Sequence, residues 1–417
     1  MSQTPSPGNE PSRARRYVFT MFMLMVAVGG AEAALRLSIA LFPANPLTDV
    51  TMVLPDNVLG YRLNPGYPGH DPSGFRNAAA LRKADLVVLG DSMAYGPGIP
   101  LERVWPQQLG KLTGRQVYNM AVPGYGPVQS LFLLDRALDL RPTVVLEAFT
   151  SANDLYDAFS MTYYLHDLPD LKSTRPDEVI AIREWENRQP LRDLIDKVYN
   201  FRSRSSDESL LAKAKGWLDA HVMIYRLLRV VRDRIVRRPQ AQTPPNDVRS
   251  DAERYPEDLL ASGPGVPPTI FTPRYRLAAN ELEDPRIREG LNVSLRTFER
   301  MSRRVAEKGA CFAVVMIPTK EFVYGGAGDD PASHAPSRAR FLRLLEQERA
   351  VWNRTRDYLT AKGIAYVEVA PALSRRLSQG EAVFPVSDDG HPTVAGHEAI
   401  AYAIARSGVC GLAADVR

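Results

Sequence analysis

Cysteine and histidine are scarce in this chain of 417 residues. The two cysteines, Cys311 and Cys410, exclude a Cys-rich zinc site and a dense disulfide framework. They leave either one bridge, in an oxidising compartment, or two buried thiols. Six histidines leave few candidates for proton transfer. An excess of one charge is also missing: 52 basic residues against 48 acidic ones leave +4, too even to imply a nucleic acid as partner. No internal repeat is visible. What remains is ordinary globular composition, 45% hydrophobic and 24% charged, in a chain long enough for a sizeable core and more than one domain.

The N-terminus carries the one long hydrophobic run. Arg13, Arg15 and Arg16 precede apolar residues 17–31. That run is short of the roughly 20 residues a spanning helix needs. Glu32 and Arg36 interrupt it, but Leu35, Leu37, Ile39, Leu41 and Phe42 continue the helical pattern to Pro43. Ala31-Glu32-Ala33 has the form of a signal-peptidase site. The unbroken pattern favours an uncleaved signal-anchor over residues 17–42. The arginines then put residues 1–16 in the cytoplasm and the bulk outside, periplasmic or extracellular. A soluble amphipathic helix packed on the domain would leave residues 21–28 exposed.

Residues 1–12 are rich in Pro and Ser and read as disordered; residues 43–82, rich in Pro, Gly and Asn, read as a stalk or wrapping segment. From residue 85 onward, strand-like runs at 85–90, 116–122, 143–149, 311–317 and 364–369 alternate with helix-like runs at 101–112, 128–140, 293–308 and 337–361. This alternation predicts an α/β, doubly wound, mostly parallel sheet with helices on both faces. Its halves would be residues 83–157 and 293–417, split by a helical insertion over 158–292. Within the insertion, 209–236 has helical periodicity with a basic end, read as an arm packed on the core or, less well supported, lying on a membrane; 237–256 reads as a flexible loop, and 269–277 as an extended segment returning to the core.

The chemistry-bearing residues fall at strand ends. Val87-Val88-Leu89-Gly90-Asp91-Ser92 is an apolar strand ending in a serine, where open α/β sheets place their ligands. A hydroxyl there can be a nucleophile if a histidine reaches it and amide donors hold the oxyanion. Asn119 to Gly126 ends a short strand in glycines, which let a backbone amide approach a ligand. Asn153 follows the strand at 143–149 and offers a side-chain amide. Far downstream, Ser387-Asp388-Asp389-Gly390-His391 puts a histidine beside carboxylates in a turn before a helix, the makings of an oriented general base. Taken singly, each has an ordinary explanation: Ser92 as a helix cap, Gly124 as a turn glycine, Asn153 as an Asx turn, His391 as a loop histidine. Ala94 breaks the Gly-x-Ser-x-Gly elbow, which argues against an α/β-hydrolase of the lipase type.

Taken together and in this order, the blocks resemble the SGNH (GDSL-like) hydrolase family. Gly90-Asp91-Ser92 matches its first block, Asn119 to Gly124 its second, and Asn153-Asp154 its third, with Ser151-Ala152 where the family has Gly-x. Asp388 and His391 match its Asp-x-x-His block; polysaccharide-modifying members, among them relatives of alginate and exopolysaccharide O-acetyltransferases, use Asp-x-His, which would select Asp389. The resemblance covers roughly residues 83–157 and 308–406 and implies a flavodoxin-like fold. It implies Ser92 as nucleophile, His391 as base, Asp388 or Asp389 as its orienter, and Ser92, Gly124 and Asn153 as oxyanion donors. A Pro-x-Lys segment after a strand, Pro318-Thr319-Lys320 with Tyr324 nearby, is similar to one in exopolysaccharide-modifying members and makes Lys320 and Tyr324 candidate glycan contacts; the alternative is a surface lysine in a loop. The activity implied is a membrane-anchored serine esterase acting on acyl, chiefly acetyl, esters of a carbohydrate or similar substrate, without metal or organic cofactor. The alternatives are a polysaccharide O-acetyltransferase using the same site, and a non-catalytic glycan-binding or export-machinery subunit. The expected partners are the ester substrate, the membrane and no nucleic acid; any polysaccharide-export or acetylation partner stays unidentified.

Overall fold

The computed structural model of the protein describes residues 13–41, 51–199, 218, 222–225, 227–228, 259–263, 265–325 and 335–413. The chain divides into two units, Met1–Val50 with Arg204–Ala241, and Thr51–Ser203 with Gln242–Arg417. In the first unit, one helix covers Arg13–Leu41 and runs through Ala31-Glu32-Ala33 without a break. It starts four residues before the expected anchor because Arg and Ala favour helix as much as the apolar residues after them. Its segment Tyr17–Ser38, 22 residues with mean hydropathy 1.9, is long and apolar enough to cross a membrane, and none of it is buried. The two charges that interrupt it answer each other: Arg36 Nη2 lies 2.7 Å from Glu32 Oε1, one turn away. Glu32 also accepts the backbone N–H groups of Met223 and Ile224 at 2.9 and 3.0 Å. The expected helix over 209–236 falls largely, and the loop over 237–256 and the N-terminal 1–12 wholly, outside the described residues.

The second unit is built on a five-stranded parallel sheet. Nine strands are described: β1 (Val53–Asp56), β2 (Gly60–Leu63), β3 (Leu86–Gly90), β4 (Val117–Asn119), β5 (Val144–Thr150), β6 (Leu259–Gly263), β7 (Val266–Phe271), β8 (Cys311–Ile317) and β9 (Ala365–Glu368). The large sheet has the order β4-β3-β5-β8-β9, and its pairs are parallel. All residues of β3 and β5 are buried, which is why these strands read as nearly continuous apolar runs, interrupted in β5 by Glu147 and ended by Thr150: helices cover both faces. The chain passes from β3 to β4 on one side and then to β5 on the other. The strand order therefore reverses at the β3/β5 pair, the crevice where such sheets bind ligands.

Gly90 ends β3 because nothing else fits. Its φ is +130°, and a Cβ there would stand 2.7 Å from both Cβ and O of Ala148 on β5. The chain is thus pressed against β5 just before it turns into Asp91 and Ser92.

Residues 51–82 wrap the sheet edge. The β1–β2 hairpin is followed by Asp71, buried, which accepts Tyr118 Oη from β4 at 2.7 Å. Asn77 takes the Asn119 N–H on its Oδ1 and donates its Nδ2 to the Asn119 carbonyl, at 2.9 and 3.0 Å.

Three expected elements need correction. The helix expected from 293 begins at Pro285 and runs to Ala306, with Asp284 capping Arg286 N. Its first two turns are hidden in the sequence by charges that turn out to be buried and paired: Arg286 with Asp284 and Glu186, Glu289 with Arg296. The segment 269–277 is extended only as far as β7; Pro273 then opens the helix Pro273–Asn280. The stretch after β8 is a buried helix, Lys320–Gly325, rather than a surface loop.

Cys311 at the head of β8 is bonded to Cys410, 99 positions later in sequence, with Cα atoms 5.6 Å apart. Closing a loop of that size is worth about 4–5 kcal/mol in the chain-entropy account.

Candidate active site

Ser92 is the first residue of a one-turn helix, Ser92–Tyr95, directly after β3; Asp91 caps it by accepting Met93 N at 2.9 Å. That turn is gripped from several sides. Arg76 donates to the carbonyls of Tyr95 and Gly96 at 2.6 and 2.7 Å. Asn119 Nδ2 donates to Ala94 O at 2.9 Å, and Trp105 Nε1 to Met93 O at 3.0 Å. None of these anchors was expected from the sequence, where Asn77, Arg76 and Asp71 sit in a stretch with little periodicity. Their only signal is polar side chains that the fold buries, and a buried polar group needs a partner.

His391 reaches Ser92 across the chain, with Nε2 2.8 Å from Oγ. Its Nδ1 lies 2.6 Å from Asp389 Oδ1, the same oxygen that accepts the His391 N–H at 3.0 Å. With a carboxylate at Nδ1, that nitrogen carries the proton and Nε2 is free to accept from the serine hydroxyl. The sequence left Asp388 and Asp389 open, with the commoner Asp-x-x-His spacing pointing to Asp388. The structure places Asp389 at the ring, and Asp388, exposed, does not hold it. Burial pushes Asp389 up, but the hydrogen bonds and charge of His391 outweigh it and hold the carboxyl below its usual range. His397, one turn into the helix Val394–Ser407, is a fully buried residue whose Nδ1 accepts Trp105 N at 3.1 Å, and burial lowers it to about 3.

The candidate oxyanion donors follow β4 and β5. Met120 N and Val122 N bond to Val88 O and Gly90 O, so this segment runs along the end of β3. Gly124 has φ +78°, and a Cβ there would meet Tyr61 Oη at 2.5 Å; that hydroxyl donates to Pro123 O at 2.7 Å. Asn153 is held by the acids around it, its Nδ2 donating to Asp157 Oδ2 at 2.6 Å and, more loosely, to Asp154 Oδ1 at 3.4 Å. Beneath lies a layer of acids. Burial pushes Asp91 up to about 6, against Met93 N–H and His391, and Asp157 up to about 7, against its bond from Asn153. Burial raises Glu147 and Asp154 well above the carboxylate range. These directions keep four full negative charges from gathering under the serine. Among the described residues, no group of three or more His, Cys, Asp or Glu could hold a metal ion.

Lys320 and Tyr324 are not on the surface where a glycan would touch them. Lys320 is fully buried, and its Nζ donates to Ser387 O at 2.8 Å and Asp389 O at 3.1 Å. Burial lowers it to about 8, the carboxylate of Glu321 resisting. Tyr324 is buried beside Phe271 and Phe384, with ring centroids 5.5 and 6.4 Å away. Lys320 therefore braces the turn that carries Asp389. Glu348 ties together the ends of β5 and β8, accepting Ser151 Oγ, Thr319 N and Thr319 Oγ1 at 2.7, 2.9 and 2.6 Å. Lys320→Met, which keeps the volume but removes the donors, is expected to strip two carbonyls of their buried partner. Urea unfolding should show a loss of about 1–3 kcal/mol, and ester turnover should drop more than tenfold as the Asp389 turn loosens. A variant with wild-type stability and turnover would show that the brace is idle.

No protein-family model matches the chain, and no curated protein does. Solved structures match it distantly. TesA is 11% identical over 78% of this chain and 97% of its own, with a TM-score of 0.33. LAE5, an alpha/beta hydrolase enzyme from the metagenome of Lake Arreo, Spain, is 12% identical over 80% and 98%, at 0.33. A catalytic mutant of Axe2, an acetylxylan esterase from Geobacillus stearothermophilus, is 10% identical over 81% and 97%, at 0.35. Likenesses of this size identify neither a family nor an activity, and the functional reading rests on the site itself.

Proposed function

We propose that the protein is a membrane-anchored serine esterase of the SGNH type, acting on acyl esters, chiefly acetyl esters, of a carbohydrate or similar alcohol. The observation that carries this is the unbroken relay Ser92 Oγ, His391 Nε2, His391 Nδ1, Asp389 Oδ1, at 2.8 and 2.6 Å, at the strand-order reversal of the sheet. Ser92 Oγ attacks the ester carbonyl carbon while His391 Nε2 takes its proton; Asp389 keeps Nδ1–H in place and stabilises the imidazolium. Ser92 N–H, Gly124 N–H and the Asn153 amide hold the oxyanion. His391 returns the proton to the departing alkoxide, leaving Ser92 acylated. Water, activated by the same nitrogen, then releases the acid. The sequence of steps calls on no metal or organic cofactor.

A second reading is favoured by one observation. The partner of His391 is Asp389, the Asp-x-His spacing that the family resemblance associates with polysaccharide-modifying members. A sugar hydroxyl would then replace water in the second step, making the protein a polysaccharide O-acetyltransferase. Both readings share the acyl-enzyme. The test is to supply the purified protein with a chromogenic acetyl ester and an acylated sugar, with and without oligosaccharide acceptors, and identify the products. Free acetate alone supports hydrolysis, acetylated acceptor supports transfer, and neither product would support the non-catalytic binding subunit.

The location rests on the 22-residue apolar segment behind Arg13, Arg15 and Arg16, and on the Cys311–Cys410 bond, which suits an oxidising compartment. After a high-salt wash the full chain should stay in the membrane fraction, since salt does not screen apolar burial. N-terminal sequencing should not begin at Ala34. A soluble mature protein starting there would replace the anchor with a cleaved signal peptide.

A further inference from the structure

Two cations approach the turn that carries the relay. Lys320 is spent on the carbonyls of Ser387 and Asp389. Arg276, in the helix Pro273–Asn280, comes from the other strand-end segment: a Cβ on Gly390, the residue between Asp389 and His391, would lie 2.3 Å from Arg276 Nη2 and 3.3 Å from its Cζ. A glycine is thus what lets the guanidinium sit against the backbone of the turn. β7 holds this arrangement, with Ile270 N bonded to Ser387 O at 3.2 Å and Thr269 Oγ1 to Pro385 O at 2.9 Å. Among the described residues no carboxylate pairs with it, its Nε is buried without a hydrogen-bond partner, and its one ring contact is Tyr275, 5.1 Å to the centroid. The residue as a whole is partly exposed.

A desolvated donor left without a partner costs about 1–3 kcal/mol, and a planar guanidinium is matched best by a planar oxyanion. Gly390, which the guanidinium touches, is the residue before His391, whose Nε2 lies 2.8 Å from Ser92 Oγ, so Arg276 approaches the turn that carries the base. We propose that Arg276 is a specificity-determining residue that receives an anionic group, a carboxylate above all, carried by the same molecule as the ester. The inference rests on the esterase reading for its position relative to the scissile bond, and on the Gly390 contact and the unpartnered guanidinium for its chemistry.

The test uses the full chain in detergent with 4-acetoxybenzoate and its methyl ester, which differ in one negative charge. Wild-type protein should prefer the carboxylate ester, less so as salt is added. Arg276→Gln should lower kcat/KM for the carboxylate ester about tenfold more than for the methyl ester, chiefly through KM, and Arg276→Lys should restore part of the preference. Equilibrium binding of both esters to Ser92→Ala, with and without Arg276→Gln, separates the two ideas. Tighter, Arg276-dependent binding of the carboxylate ester without any wild-type turnover would keep the anion site and remove the esterase. Equal binding of the two esters, or a preference that survives Arg276→Gln, would overturn the anion site whatever the turnover.

Discussion

Ser92→Ala is expected to lower ester turnover by roughly 10⁶ in kcat, as loss of the nucleophile does in a serine protease, while the protein stays folded. The argument is local. On the proposed mechanism, removing Oγ takes away the atom that attacks, and among the described residues no other hydroxyl is bonded to His391 Nε2. The oxyanion donors remain, so a residual acceleration over water of about 10³–10⁴ is the floor rather than zero. The fold should tolerate the change. The turn is held through its backbone by Arg76, Asn119 and Trp105, and through the Asp91 cap, none of which uses the serine hydroxyl as its anchor. Stability by urea unfolding should therefore shift by no more than about 1 kcal/mol. Hydrolysis of a chromogenic acetyl ester at the wild-type rate by a folded Ser92→Ala protein would refute the assignment of the nucleophile.

What the sequence made legible was what depends on short stretches of chain. β3, β5 and β8 are buried on both faces, so their residues are apolar apart from Glu147 and Thr150 of β5, and a window of seven shows it. The alternation with amphipathic helices then selects a parallel sheet, and right-handed crossovers make it doubly wound. Ser92 and His391 could be marked because each stands beside its own local punctuation, Gly90 before the serine and Pro392 after the histidine. What failed to show were features decided between distant parts of the chain. The choice between Asp388 and Asp389 is one of turn shape. That turn is fixed by Lys320, 67 and 69 positions away, and by β7. The same long reach hid the burial of Lys320 itself: a lysine after a strand reads as exposed until the two carbonyls that accept from it are known. The early start of the helix Pro285–Ala306 was concealed by Arg286, Glu289 and their partners, charges that ordinarily mark a solvated face. Its Gly290 touches the backbone of Leu155, a contact that no periodicity announces.

The two adjacent carboxylates should separate sharply when each is made an amide. Asp389→Asn leaves a group of the same size at Nδ1 of His391, but one that offers an N–H as readily as a carbonyl. The ring can then turn to the tautomer with its proton on Nε2, which no longer accepts from Ser92, and the imidazolium formed on attack loses its counter-charge. The corresponding change in a serine protease cost about 10⁴ in kcat, and a loss of that order is expected here. Asp388→Asn is expected to stay within a few-fold of wild type, because the hydrogen bonds to His391, at 2.6 Å to Nδ1 and 3.0 Å to the main-chain N–H, both come to Asp389. The two variants should unfold at similar urea concentrations, since both residues are exposed, so that the difference in kcat reports orientation of the base rather than damage to the fold. Equal and mild effects at both positions would mean that His391 works with Ser92 as a pair and that the carboxylate of Asp389 is an ornament of the turn. The larger loss at Asp388 would mean that the turn rearranges when substrate binds, bringing the Asp-x-x-His spacing into use.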